Sequence, residues 1–432
     1  MSGKVIVIFG PNGSGKTQYV EKMRREMASD RVRYLAFSDA YGPATDRAYY
    51  LQLRWNQHDI DAETPCVATL LEKAYAQSGE DTDERRAFRD HLYELFNMQP
   101  LLDKYIILLS SGELRKFQLI KTLLAHPQTL ILDNPFIGLD AEARHQLNEL
   151  FQLIVSQQNI DLYLVIARSG DIPDYADEVK EIPLPEPKAF NELNVFEPTE
   201  DQGDNSQHES SAEPVIEMHH VSIRYGERTI LRDLNWNVMK GERWALSGQN
   251  GSGKSTLLSL VCADNPQGYA CDISLFGNQR GCGESIWEIK KRIGYVSPEM
   301  HRSYLRPLPT VNVVASGLKD TVGLYIRPTA AEKEQCKRWL DVFGIGHLAE
   351  RSFLTLSSGE QRLALVARAF VKNPDLLILD EPLHGLDDSN RRRVIDMIER
   401  YCQQDGKTLI MVTHYEEELP PCINKHLYLK RN

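Results

Sequence analysis

Long apolar runs are missing from this 432-residue sequence. None approaches the ~20 residues a helix needs to cross a bilayer, which excludes a helical membrane-spanning chain. The opening stretch, MSGKVIVIFGPNGSGKT, runs from a strand into a glycine loop and lacks a signal-peptide cleavage pattern, so a cytoplasmic protein is expected. Surplus positive charge is also missing: 50 Lys and Arg stand against 61 Asp and Glu, a net charge of −11. A nucleic-acid partner is therefore not expected, because phosphate binding calls for a basic face. Cysteine is sparse and unpatterned. The seven (Cys66, Cys262, Cys271, Cys282, Cys336, Cys402, Cys422) form no C-x-x-C pair, so neither a zinc site nor a disulfide framework is indicated. They read as thiols in a reducing compartment.

What is present is a globular composition, 42% hydrophobic and 26% charged, with enough apolar residues for large cores. The length suggests two domains or so at roughly 150 residues each. The sequence repeats itself on that scale. Residues 4–17 read KVIVIFGPNGSGKT, followed by LLSSGELRKFQL, TLILDNPFIGLD and LYLVIARSGDIPD; RWALSGQNGSGKST is followed by LTLSSGEQRLAL, LLILDEPLHGLD and LIMVTHYEEELPP. Four elements recur in the same order, which is duplication.

Between the copies, residues 185–214 are rich in Pro, Glu, Asp, Ser and Gln and poor in apolar periodicity. Such a segment cannot bury enough surface to offset its ordering entropy and reads as a flexible acidic linker. The expected domains are residues 1–184 and 215–432. Val5–Phe9, Leu130–Leu132, Leu162–Ile166, Leu376–Leu379 and Leu409–Val412 look like buried parallel strands alternating with helices. The fold class is α/β, two phosphate-loop domains with helices on both faces of mostly parallel sheets. The second copy opens with VIEMHHVSIRYGERTILRDLNWNVMKGERWALSG, a run of short strands that predicts an additional antiparallel subdomain; the first copy has no counterpart.

Both glycine loops match G-x-x-x-x-G-K-[ST] between a strand and a helix. The first comprises Gly10, Asn12, Gly13, Ser14, Gly15, Lys16 and Thr17; the second comprises Gly248, Asn250, Gly251, Ser252, Gly253, Lys254, Ser255 and Thr256. Glycines let backbone N–H groups close around phosphate oxygens at a helix N-terminus. Lys16 and Lys254 should reach the β- and γ-phosphates of ATP, while Thr17 and Ser255 should ligate Mg²⁺. Asp133 and Asp380 end hydrophobic strands, where a carboxylate can hold the magnesium shell; in isolation each would read as a helix cap. Glu381 follows Asp380 and is a candidate base for the attacking water. Asn134 stands at the matching place in the first copy, and an amide does not accept a proton at neutral pH.

With these motifs in place the chain resembles the ATP-binding-cassette superfamily. That family's L-S-G-G-Q helix start reads here Leu109-Ser-Ser-Gly-Glu113 and Leu356-Ser-Ser-Gly-Glu360, keeping Ser110, Gly112, Ser357 and Gly359. The resemblance implies head-to-tail domains, with each ATP between one glycine loop and the other copy's signature helix. One site would use Lys16, Thr17, Asp133 and Asn134, closed by Ser357 and Gly359. The other would use Lys254, Ser255, Asp380 and Glu381, closed by Ser110 and Gly112. The family's switch histidine corresponds to His414, and Ala167 takes that place in the first copy. The resemblance thus implies one hydrolytic site, with Glu381, His414, Lys254 and Asp380 catalytic, and one holding site. Tyr225 matches the family's adenine-stacking aromatic, with ordinary sheet packing as the alternative. Gly138-Leu-Asp140 and Gly385-Leu-Asp387 match the loop through which the sites communicate.

The sequence departs from the family where a Mg²⁺-ligating Gln is usual: Pro298 and Glu299 stand in the second copy, Ser38 and Asp39 in the first. The first copy continues into an aromatic and amide cluster (Tyr49, Tyr50, Gln52, Arg54, Trp55, Asn56, Gln57), either an ATP-sensing or partner segment or plain helix packing. This stretch, the shortened first domain and the tandem layout are similar to ModF-like ATPases found with molybdate-transport genes. The expected function is ATP hydrolysis by an intramolecular pseudo-dimer linked to oxyanion transport or its regulation. The alternative is the motor of a transporter, partnered by a separate membrane permease subunit at the inner membrane face. Translation-factor cassettes, which resemble tandem cassettes with a basic helical linker, fit poorly with an acidic linker. DNA-repair cassettes carry coiled-coil or zinc insertions absent here.

Overall fold

The computed structural model describes residues 3–27, 31–37, 64–109, 111–136, 139, 141–183, 213–226, 228–249, 251–283, 285–298, 300–304, 306–321, 326–413 and 415–430. Ser38, Asp39, the 49–57 cluster, Ser110, Gly138, Asp140, Asn250, Glu299, His414 and linker residues 185–212 lie outside them. The chain divides into two compact units, Met1–Glu186 and Pro187–Asn432.

In the first unit, the strands are β1 (Val5–Phe9), β2 (Val32–Ala36), β3 (Thr129–Asp133), β4 (Asp161–Ile166) and β5 (Glu178–Glu181), in the order β2-β3-β4-β1-β5 and parallel throughout. Helices α1 (Lys16–Glu26), α2 (Val67–Gln77), α3 (Asp83–Leu95), α4 (Ser111–Leu123) and α5 (Ala141–Gln158) connect and cover it. β3 and β4 alternate little because both faces are covered; Leu130, Ile131, Leu132, Leu162 and Leu164 are fully buried. One face packs Val7, Leu132 and Leu164 under the helices; the other packs Ile8, Ile131 and Val165 against Val20 and Met23 of α1.

The second unit repeats this sheet. β8 (Arg243–Gly248), β11 (Ile293–Val296), β12 (Leu376–Asp380), β13 (Thr408–Val412) and β14 (Lys425–Leu429) run in the order β11-β12-β13-β8-β14, strand for strand the order of the first unit. An antiparallel sheet, β10-β9-β6-β7, is added from β6 (Pro214–Tyr225), β7 (Arg228–Met239), β9 (Asp272–Leu275) and β10 (Asn278–Gln279). Pro214, at the end of the linker as read from sequence, opens β6. The helices that matter below are α6 (Lys254–Val261), α7 (Ile286–Lys291), α8 (Met300–Ser303), α9 (Thr310–Ala315), α10 (Ala330–Val342), α11 (Ser358–Phe370) and α12 (Asp388–Cys402). Ile216, Met218, Ile223 and Val238 of the added sheet join Leu257, Leu258 and Val261 of α6 and Ile378 and Ile410 of the parallel sheet in one core. The extra strands therefore cover the α6 side of the second unit.

Candidate functional site

The two glycine loops have one geometry. Gly13 and Gly15 take φ of 79° and 88°, and Gly251 and Gly253 take 77° and 98°, conformations that a side chain would strain. A Cβ on Gly10 would meet the Ile182 carbonyl oxygen at 2.4 Å, and one on Gly248 the Leu429 oxygen at 2.5 Å, so each loop sits hard against the end of its outer strand. The Lys16 ammonium donates to the carbonyls of Gly10 and Pro11, the latter at 2.7 Å; Lys254 donates to Gly248 at 2.5 Å and Gln249 at 3.1 Å. Both lysines thus lie folded over the loop they follow. The Ser14 and Ser252 hydroxyl oxygens are buried with no hydrogen-bond partner among the described residues. Buried polar atoms are nearly always paired, so matching orphans in both loops mark where a ligand supplies the bond. Thr17 and Ser255 stand exposed in the first helical turns, with Thr256 half-buried beside Ser255. Asn12 is half-buried in the first loop.

The strand ends also match. Asp133 closes β3 and Asp380 closes β12. The next residues, Asn134 and Glu381, take left-handed φ of 52° and 49°. Asn134 donates its backbone N–H to Val165 and Glu381 to Val412, each at 2.9 Å. The frames are equivalent, and an amide replaces a carboxylate within them. Two residues beyond Val165 is Ala167; two beyond Val412 is His414. Asparagine enters the left-handed region readily, glutamate does not, so the second unit holds its acid in a strained backbone.

Asp133 is tied down within its own unit. Its Oδ2 accepts from the Tyr34 hydroxyl and its Oδ1 from the Asn134 amide, both at 2.9 Å. Burial raises the Asp133 carboxyl, opposed by the Tyr34 bond and the Lys16 charge. The Tyr34 hydroxyl is pushed up by burial and by the Asp133 charge. Asp380 is buried at 8% exposure. Each site offers one strand-end carboxylate and one helix-start hydroxyl, and among the described residues no group of three or more His, Cys, Asp or Glu is placed to hold a metal ion by itself. That donor set fits Mg²⁺, which is commonly held by one or two carboxylates together with substrate phosphates.

Ser357 caps α11: its Oγ accepts from the Glu360 N–H at 3.3 Å, while Glu360 Oε2 accepts from the Ser357 N–H at 2.8 Å. Glu360 thus serves a capping box at the position where the family signature has Gln. Gly359 follows in the first turn, buried. In the first unit Gly112 lies in the first turn of α4, and Glu113 pairs with Lys104 at 2.8 Å. Tyr225 ends β6 with its ring half-buried against the antiparallel core and its hydroxyl accepting from the Asn265 amide at 3.0 Å.

Two groups escaped the sequence reading. Glu418 receives Arg391 and, at 2.9 Å, the Thr413 hydroxyl, whose oxygen accepts the Tyr415 N–H at 3.2 Å; both neighbours of His414 are anchored this way. The first unit keeps the ion pair as Arg144–Asp171. Comparing the two copies residue by residue would have paired Asp171 with Glu418. The other group is His384, whose Nδ1 lies 3.4 Å from Glu381 Oε2.

A family model described as ABC transporter matches residues 1–137 and 231–384. The ABC transporter ATP-binding protein ModF of Escherichia coli K12 is 36% identical, over 99% of this chain and 91% of the relative. An uncharacterized ABC transporter ATP-binding protein of Schizosaccharomyces pombe is 31% identical over 88% of this chain and 80% of its own length. Among solved structures, the archaeal ribosome recycling factor in complex with a ribosomal stalk protein superposes with a TM-score of 0.53 at 18% identity, covering 99% of this chain and 83% of that one, a likeness of fold alone. No helix of the described residues is long and apolar enough to cross a membrane. The chain belongs to the ABC transporter ATP-binding family and is a tandem ABC ATPase, similar along its length to ModF.

Proposed function

We propose that the two sites are unequal: ATP turns over at the site of Lys254, Ser255, Asp380, Glu381 and His414, and is held at the site of Lys16, Thr17, Asp133 and Asn134. The observation that carries this is the shared strand-end frame in which Glu381 stands opposite Asn134. A carboxylate accepts the proton of the attacking water; a neutral amide does not. In this reading Thr17 with Asp133, and Ser255 with Asp380, would hold Mg²⁺ with the phosphates, and at the Lys254 site the ion would neutralise charge on the transferring group. Ser110 and Gly112 close the Lys254 site, Ser357 and Gly359 the Lys16 site, and Tyr225 stacks on adenine. The similarity to ModF supports a link to the import of molybdate or another oxyanion, or to its regulation.

The test is steady-state ATPase activity of the chain with Mg²⁺ and no membrane, beside Glu381→Gln. Loss of a general base costs about 10²–10⁴-fold, so turnover should collapse in the variant. Survival of turnover would sink the assignment. A wild type that binds ATP but barely turns it over would favour the transporter-motor reading, in which a membrane permease must be added.

A further inference from the structure

One turn is still without a role. Glu381 leaves β12 with φ of 49°, Pro382 follows, and the His384 backbone N–H donates to the Glu381 carbonyl at 3.2 Å, closing a four-residue turn. The turn folds the imidazole back towards the acid. Nδ1 stands 3.4 Å from Oε2, with the two side chains 11% and 19% exposed. Neither ring nitrogen of His384 makes a hydrogen bond among the described residues. A buried imidazole is normally bonded, and the Glu381 carboxylate, the base in the proposed hydrolysis, stands beside Nδ1. The separation is just beyond an ordinary N–H···O bond, and catalytic hydrogen bonds commonly tighten once substrate is bound.

The duplicated unit supplies an independent observation. The segments read Asp380-Glu-Pro-Leu-His384 and Asp133-Asn-Pro-Phe-Ile137. The copy without the acid also lacks the imidazole, having Ile137 in its place. A histidine needed only to fill the turn would have no reason to vanish together with the carboxylate.

We propose that His384 is a positioning residue for ATP hydrolysis. Its Nδ1–H holds one oxygen of Glu381, which fixes the direction in which the carboxylate faces the attacking water. The proton taken from water goes to Glu381; His384 gains none. The inference rests on Glu381 being the base.

The experiment compares the full chain with His384→Ala, His384→Asn, Glu381→Gln and the Glu381→Gln/His384→Ala double variant, by steady-state ATP hydrolysis and equilibrium nucleotide binding. His384→Ala should lower kcat by about 10- to 100-fold, the cost of a misdirected reacting group, with KM and nucleotide affinity unchanged. His384→Asn places an amide N–H near the Nδ1 position and should recover most of the loss. In the Glu381→Gln background, His384→Ala should add nothing, because the group it acts through is gone. The inference is overturned if His384→Ala keeps wild-type kcat, if it weakens nucleotide binding as much as turnover, if His384→Asn fails to rescue, or if the loss is equal in both backgrounds. Should His384→Ala not fold, His384→Leu against His384→Asn makes the same comparison with the same outcomes. Wild-type turnover in Glu381→Gln would instead bring down the base assignment itself, whatever His384 does.

Discussion

At the scale of single residues, side chains that the motifs assign to nucleotide also bond their neighbours. Ser357, named from its motif as a phosphate-facing hydroxyl, is also the cap of α11. Ser357→Ala should therefore cost the second unit about 1 kcal/mol, the usual worth of such a cap. For a unit of this size that is a fall of about 2–4 °C in its thermal midpoint, measurable by calorimetry without nucleotide. Tyr34 is the first unit's counterpart: its hydroxyl bonds the Asp133 carboxylate across 99 residues of sequence. Tyr34→Phe should destabilise the first unit by about 1 kcal/mol through that lost bond and leave kcat unchanged, since turnover is assigned to the other site. A large fall in kcat would place hydrolysis at Asp133 instead.

At the scale of elements, one ion pair holds three parts of the second unit. Lys372, between α11 and β12, bonds Asp320 of the turn after α9, and donates to the Lys290 carbonyl of α7 at 2.6 Å. Burial lowers the Lys372 ammonium and raises the Asp320 carboxyl, so desolvation opposes both charges and each needs the other. Asp320→Ala leaves a buried cation with only a carbonyl and should cost about 3 kcal/mol. Urea unfolding followed by tryptophan fluorescence reads this, because Trp236, Trp244, Trp287 and Trp339 all lie in the second unit and Trp55 alone in the first. A change below 0.5 kcal/mol would mean the pair is replaceable.

At the scale of the whole molecule, two compact units are joined through residues 185–213, whose composition resists packing. A Glu-specific protease should cut there first and leave both units folded. If the sites are composite, the cut fragments of the Glu381→Gln variant should co-elute on gel filtration with ATP and Mg²⁺ and separate without them. Separation under both conditions would count against head-to-tail closure within the chain.

Much of this protein was determined by local sequence. Buried strands such as Leu130–Leu132 and Leu409–Val412 announce themselves through continuous apolar runs, because a parallel sheet covered on both faces tolerates little else. The glycine loops are equally local, since a phosphate cradle needs left-handed glycines at set intervals before a helix. Even the asymmetry of Asn134 against Glu381 is readable once the copies are aligned. Tertiary structure alone decided the partners. Tyr34 meets Asp133 only because β2 pairs with β3. His384 faces Glu381 only because a left-handed residue and a proline turn the chain back after β12. Lys372 finds Asp320 only because α11 ends beside the turn after α9. Periodicity and motif spacing are written in neighbouring residues; which buried polar atoms bond across the fold depends on where strands pair and turns reverse, and that is set by the packing of the whole unit.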